Sequence, residues 1–126
     1  GMNLIAGELA ETDRGLAVDL GPWGVSPPLP DDLAAAARAS GSRAVQYGFR
    51  PEEATLGLEG QGLRARVTFV ERIGARTIVH VESGQSVKIV TENDVGFSIG
   101  DVVSIVPAPA AVRLFDAAST AAIRGG

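Results

Sequence analysis

Leu63-Arg64-Ala65-Arg66-Val67-Thr68-Phe69 alternates apolar and polar side chains at every step. A period of two puts Leu63, Ala65, Val67 and Phe69 on one face and Arg64, Arg66 and Thr68 on the other, so this stretch predicts a strand with one side against a core and one side in water. Its surroundings repeat the pattern. Gly74 and Gly84 bracket Thr77–Glu82, Val87 and Ile89 alternate with Ser86 and Lys88, and Val102–Val106 follows Gly100-Asp101. With Val112–Phe115 this makes about five short strands spaced by turn signals from residue 61 onward, the number an OB-like barrel needs.

Working towards the N-terminus, Ala44–Phe49 reads as a further strand stopped by Pro51, and Leu16, Val18 and Leu20 form the second arm of a hairpin begun near Leu4. Ser26-Pro27-Pro28-Leu29-Pro30 lacks three ladder donors and predicts an edge or connector. Asp31-Asp32, the alanine-rich run to Ala39 and Gly41 predict one short helix, with acids at its positive end and a glycine at its close. The expected fold is all-β with one short helix, an OB-like barrel with an N-terminal β-hairpin extension. The whole of 1–126 is expected as one composite domain: 1–50 as hairpin, edge segment and helix, and 51–126 as the barrel-forming strands.

Composition narrows function. The 126 residues carry a formal net charge of −4 and six aromatic side chains, which suits neither the backbone electrostatics nor the base stacking of a nucleic-acid binder. Without cysteine there is no disulfide framework and no thiolate metal site. No apolar run reaches the roughly 20 residues of a membrane-spanning helix, so direct insertion in a membrane is not expected and a cytoplasmic location is. The lone His80 has no second histidine beside it, and no Gly-x-Ser-x-Gly turn presents a nucleophile. The lone Lys88 is followed by Ile89, which excludes Gly-x-x-x-x-Gly-Lys-Ser/Thr and with it the phosphate-binding loop of an ATPase. No catalytic residue, metal site or cofactor is assigned to this chain. Arg64, Arg66, Arg72 and Arg76 share a region with one acid, Glu71, and form a positive stripe. Such a stripe is either a solvated outer face balanced by acids on neighbouring strands or a site for a small oxyanion or an acidic partner surface.

Several motifs stand in one order along the chain. Met2-Asn3-Leu4-Ile5-Ala6-Gly7, Gly48-Phe49-Arg50-Pro51-Glu52, Val70-Glu71-Arg72-Ile73-Gly74 and Leu114-Phe115-Asp116 with Ile123 resemble the conserved segments behind the ATPase domain of maltose- and glycerol-phosphate-type ABC importers. The resembled unit is the transport-associated OB, or TOBE, domain. The resemblance implies a regulatory and dimerising domain of a sugar-type importer ATP-binding subunit, which is not itself an enzyme. Its partners would be the ATPase domain, the permease subunits indirectly, a twin copy, and a small-molecule or regulatory-protein ligand. ATP and magnesium would belong to the ATPase domain, and the complex would hold the chain at the inner face of the membrane. Arg50 and Glu52 are candidate ligand or partner residues with Arg64 and Arg66. Gly48, Pro51, Gly74, Phe115 and Asp116 match structural positions, with Arg50 expected to pair with a carboxylate or backbone carbonyls, Phe115 to plug a barrel end and Asp116 to cap a turn. The family pattern continues with histidine and leucine where Glu53 and Ala54 stand. An alternative reading is a stand-alone OB-like sensor for a small oxyanion or sugar, and a weaker one is an OB-fold for single-stranded nucleic acid.

Overall fold

The computed structural model describes residues 1–58, 60, 62–92 and 96–124. Among these residues, ten strands lie in two antiparallel five-stranded sheets. The first contains β1 (Asn3–Thr12), β2 (Gly15–Asp19), β3 (Ala44–Phe49), β9 (Arg113–Asp116) and β10 (Ala122–Ile123), in the order β10-β9-β3-β1-β2. The second contains β4 (Ala54–Gly57), β5 (Leu63–Ile73), β6 (Arg76–Glu82), β7 (Ser86–Thr91) and β8 (Val102–Pro107), in the order β4-β8-β5-β6-β7. The β-rich, OB-like fold read from the sequence is present.

Alternation explains β5 to β7. Leu63, Ala65 and Val67 are buried and pair across to Ile105, Val103 and Val81, while Arg64 and Arg66 are exposed. A bulge between Val67 and Phe69 then shifts the register, so Phe69 lies beside His80 on the outer face and stays half exposed. Gly74 closes the β5–β6 hairpin with φ 62° at the first position of a two-residue turn, a conformation that matches the right-handed strand twist and suits glycine. The edge strands β4 and β7 approach each other, which rolls this sheet towards a barrel.

The first sheet closes differently. Helix α1 (Asp31–Ser40) buries Leu33, Ala34 and Ala37 and touches both edge strands, β10 and β2. Ile5, Val45, Tyr47, Phe49 and Leu114 form its inner face, and burying each large side chain is worth about 1.5–3 kcal/mol. The Pro-rich stretch runs along β2 as expected of an edge, with Ser26 N–H and Leu29 N–H donating to the carbonyls of Val18 and Leu16.

One pairing differs from the sequence reading. Val112–Phe115, counted there with the barrel strands, pairs as β9 with β3, Tyr47 standing opposite Leu114. The second sheet, 54–107, is therefore an insertion between β3 and β9. The two sheets are stitched at their seam: Asn3 Nδ2 donates to Lys88 O at 2.8 Å, Lys88 N–H donates to Asn3 Oδ1 at 3.1 Å, and Gln85 Nε2 donates to Leu4 O at 2.7 Å. Trp23, in the turn Gly21–Trp23 that comes against β5, is buried.

Candidate functional site

Three places bring the singled-out residues into chemistry: a concavity on the second sheet, the crossing between sheets, and the turn after β9.

The concavity, about 290 Å³, is lined by Leu58, Gly60, Arg64, Val102, Val103 and Ser104. β5 directs Arg64 outward into it, opposite Ser104 of β8. The Arg64 guanidinium is exposed and has no hydrogen-bond or ion-pair partner among the described residues, so its fork of donors is open to solvent. Arg66, two residues along, is already engaged: its Nη1 donates to Gly100 O at 2.7 Å, and Glu82 stands opposite it on β6. The two arginines thus share a face but not a task.

At the crossing, Gly48 has Met2 Sδ within 2.8 Å and Leu4 Cδ2 within 3.0 Å of where a Cβ would stand, so no larger residue fits unshifted. Pro51 opens the 3-10 turn Pro51–Glu53. Arg50 differs from the expectation that its side chain anchors this corner. Its guanidinium is exposed and makes no hydrogen bond among the described residues, although its charge acts on the Glu53 carboxyl, and the corner is held by the Arg50 backbone and by Glu53. Arg50 N–H donates to Glu53 Oε1 at 3.0 Å, Glu53 N–H donates to Arg50 O at 2.9 Å, and Arg113 Nη1 donates to Glu53 Oε1 at 3.1 Å. The Arg50 amide first, and Arg113 after it, hold the Glu53 carboxyl below the usual carboxylate range. Glu52 is exposed. Sequence reading passed over Glu53 as a departure from the family pattern; the signal available was its position three residues after Arg50, where a carboxylate reaches back to a turn's first amide.

In the turn after β9, Asp116 accepts from Ser42 Oγ at 2.6 Å and from the amides of Ser119 and Ala118 at 2.8 and 3.1 Å. These donors, the Ser42 hydroxyl foremost, hold its pKa down at about 2. Phe115 is half exposed beside Gly48 and lines a groove rather than being sealed inside. His80 is bonded to Glu71 at 2.6 Å on the outer face of β6. Among the described residues no cluster of His, Cys, Asp and Glu has the makings of a metal site, and no helix is long and apolar enough to cross a membrane. Arg50 and Glu52 do not line the Arg64 concavity.

The profile of the TOBE domain family matches residues 47–115, which is β3 to β9 and encloses the inserted sheet. The chain belongs to the TOBE domain family. Two curated relatives of this TOBE domain are named for presumed ATP binding. One, from Brucella abortus (strain 2308), is 30% identical over 87 residues, covering 68% of this chain and 25% of the relative. The other, from Brucella suis biovar 1 (strain 1330), is 31% identical over 85 residues, covering 67% and 24%. The TOBE domain therefore spans about a quarter of those proteins. Among solved structures, the cytoplasmic molybdate-binding protein ModG with molybdate bound superposes with a TM-score of 0.60 at 16% identity, over 89% of this chain and 94% of ModG. That likeness shows a shared fold.

Proposed function

We propose that this TOBE domain is a non-catalytic binding module whose ligand is a small oxyanion held at Arg64. The observation that carries the reading is the open guanidinium of Arg64 in a concavity beside Gly60 and Ser104, on a strand whose neighbouring Arg66 does not line that concavity and donates to Gly100 O instead. A planar fork of N–H donors fits a tetrahedral oxyanion by paired, charge-assisted bonds, and a concave wall limits water around them. That a protein of the same fold is described as molybdate-binding supports the choice of oxyanion over sugar. Thermal unfolding against sulfate, phosphate, molybdate, tungstate, maltose and glycerol 3-phosphate tests it. One oxyanion is expected to stabilise the chain, by about 2.7 kcal/mol at a concentration 100-fold above Kd, and Arg64→Ala to abolish the shift. A flat response across the panel, or a shift that survives Arg64→Ala, overturns the reading.

A second reading concerns context. The match to a quarter of proteins named for ATP binding, and the order of the importer-like motifs, favour a regulatory and dimerising part of an ATP-binding subunit that imports sugars or related solutes. On that reading the domain works on the cytoplasmic side with an ATPase domain, indirectly with permease subunits, and with a twin copy. Light scattering checks the twin: a mass that stays monomeric at high concentration removes self-association by the domain alone.

A further inference from the structure

A second cavity lies where the start of α1, the turn Pro109–Ala111, β9 and the edge strand β10 meet. It encloses about 610 Å³, within the range of small-molecule sites. Its floor is apolar: Leu33 and Ile123, both buried, with Val112 and Phe115 partly buried beside them. Two guanidiniums, of Arg113 and Arg124, stand at its margin.

The polar groups differ in how far they are committed. Arg113 is fixed through one nitrogen only, Nη1, which donates to Glu53 Oε1 at 3.1 Å and to Ala111 O at 2.8 Å. Its Nε and Nη2 donors have no described acceptor, so the guanidinium is oriented but not used up. Arg124 is exposed and without a described partner. The acid of the margin, Asp32, accepts from Leu33 N–H at 2.9 Å and so serves the first turn of α1. Glu53 pairs with Arg113 and Asp32 adds one negative charge, so Arg124 is the cation of the margin without a described ion-pair partner, beside an oriented Arg113 and over an apolar floor.

We infer that this cavity binds a small amphiphilic anion, one carboxylate or sulfonate on an apolar body. The body would lie on Leu33, Val112, Phe115 and Ile123, and the charged head would meet Arg113 and Arg124. A bare inorganic oxyanion would leave the apolar floor wet, and a neutral apolar molecule would leave the arginines unmatched. The inference stands apart from the Arg64 reading, since the two cavities share no residue.

The test uses the whole chain and isothermal calorimetry with octanoate, 1-octanol and inorganic sulfate as probes. Octanoate is expected to bind one to one and at least about tenfold more tightly than either comparator, a difference of about 1.4 kcal/mol. Ala122 is exposed on β10 and lines the cavity, so Ala122→Trp fills it and is expected to weaken octanoate by about tenfold or more. Arg124→Glu reverses one charge at an exposed position and is expected to weaken octanoate while leaving octanol as it was. Arg14→Ala, an exposed charge in the β1–β2 turn, is expected to change nothing. Equal affinity for octanoate and octanol overturns the anionic half of the inference, and octanoate binding that survives both Ala122→Trp and Arg124→Glu overturns the site.

Discussion

Asp116 gathers three donors from two parts of the chain, Ser42 before β3 and the amides of Ala118 and Ser119 after β9. All three favour its charged form, and its pKa of about 2 lies below the ordinary 3.8. The sign follows: a carboxyl that holds its proton less well when folded adds stability above the unfolded pKa and loses it as the pH falls through the folded one. Stability is therefore expected to drop between about pH 4 and pH 2, and Asp116→Asn to flatten that part of the profile, as read by urea midpoints at each pH. Glu53 supplies a second residue-scale contrast. Removing it leaves the Arg50 amide without its acceptor and Arg113 Nη1 with Ala111 O alone, whereas removing the Arg50 side chain breaks no described hydrogen bond and takes away only a minor charge interaction with Glu53. Glu53→Ala is expected to cost roughly 1 kcal/mol in denaturant unfolding and Arg50→Ala much less. The opposite order would show that the guanidinium anchors the corner after all. The motif Gly48–Glu52 could be picked out by eye, yet which of two adjacent glutamates turns back onto the chain is decided by the 3-10 turn, and a string of letters does not display that turn.

The alternating elements, β5 as far as Val67, β6 and β7, were legible because one face of each is buried and the other is not, while the bulge that turns Phe69 outward was not. The helix was legible from its acidic start, its alanines and Gly41. β4, four residues long, and β10, two residues long, carry too little pattern to be read, and the partner of β9 was misplaced because Val45 and Asp116 meet across most of the chain. The Arg64 stripe was visible, but its concavity was not: β8, with Leu58 and Gly60, builds the rest of the wall, and the place of β8 beside Arg64 depends on pairing rather than on local composition. At this scale the β5–β6 hairpin offers a sharp expectation. Gly74 sits at φ 62°, which a β-branched side chain tolerates poorly. Gly74→Val is expected to destabilise by about 1–3 kcal/mol, measured as a fall in the urea midpoint, and an unchanged midpoint would mean that the turn can re-form in another geometry.

Across the whole molecule, one continuous cluster of buried residues draws on both sheets, from Ile5 and Val18 to Val79 and Ile105. Asn3 and Gln85 add hydrogen bonds across the seam. We therefore expect a single calorimetric transition whose van't Hoff and calorimetric enthalpies agree, the behaviour of one composite unit. Asn3→Ala is expected to lower its midpoint without splitting it, and two resolved transitions would instead make the sheets separate units.

The insertion of residues 54–107 between β3 and β9 has a consequence for how the chain is made. β1, β2 and β3 leave the ribosome before the inserted sheet, whereas the strand that covers β3, and the short strand after it, leave after that sheet. At roughly 5–20 residues per second, the early strands wait several seconds with β3 uncovered on one side, while the inserted sheet already has all its own strands. The nascent chain thus completes its inserted sheet before its first sheet, and an interruption of translation before residue 113 would release a product in which β1, β2 and β3 are paired with one another but the outer edge of β3 is open.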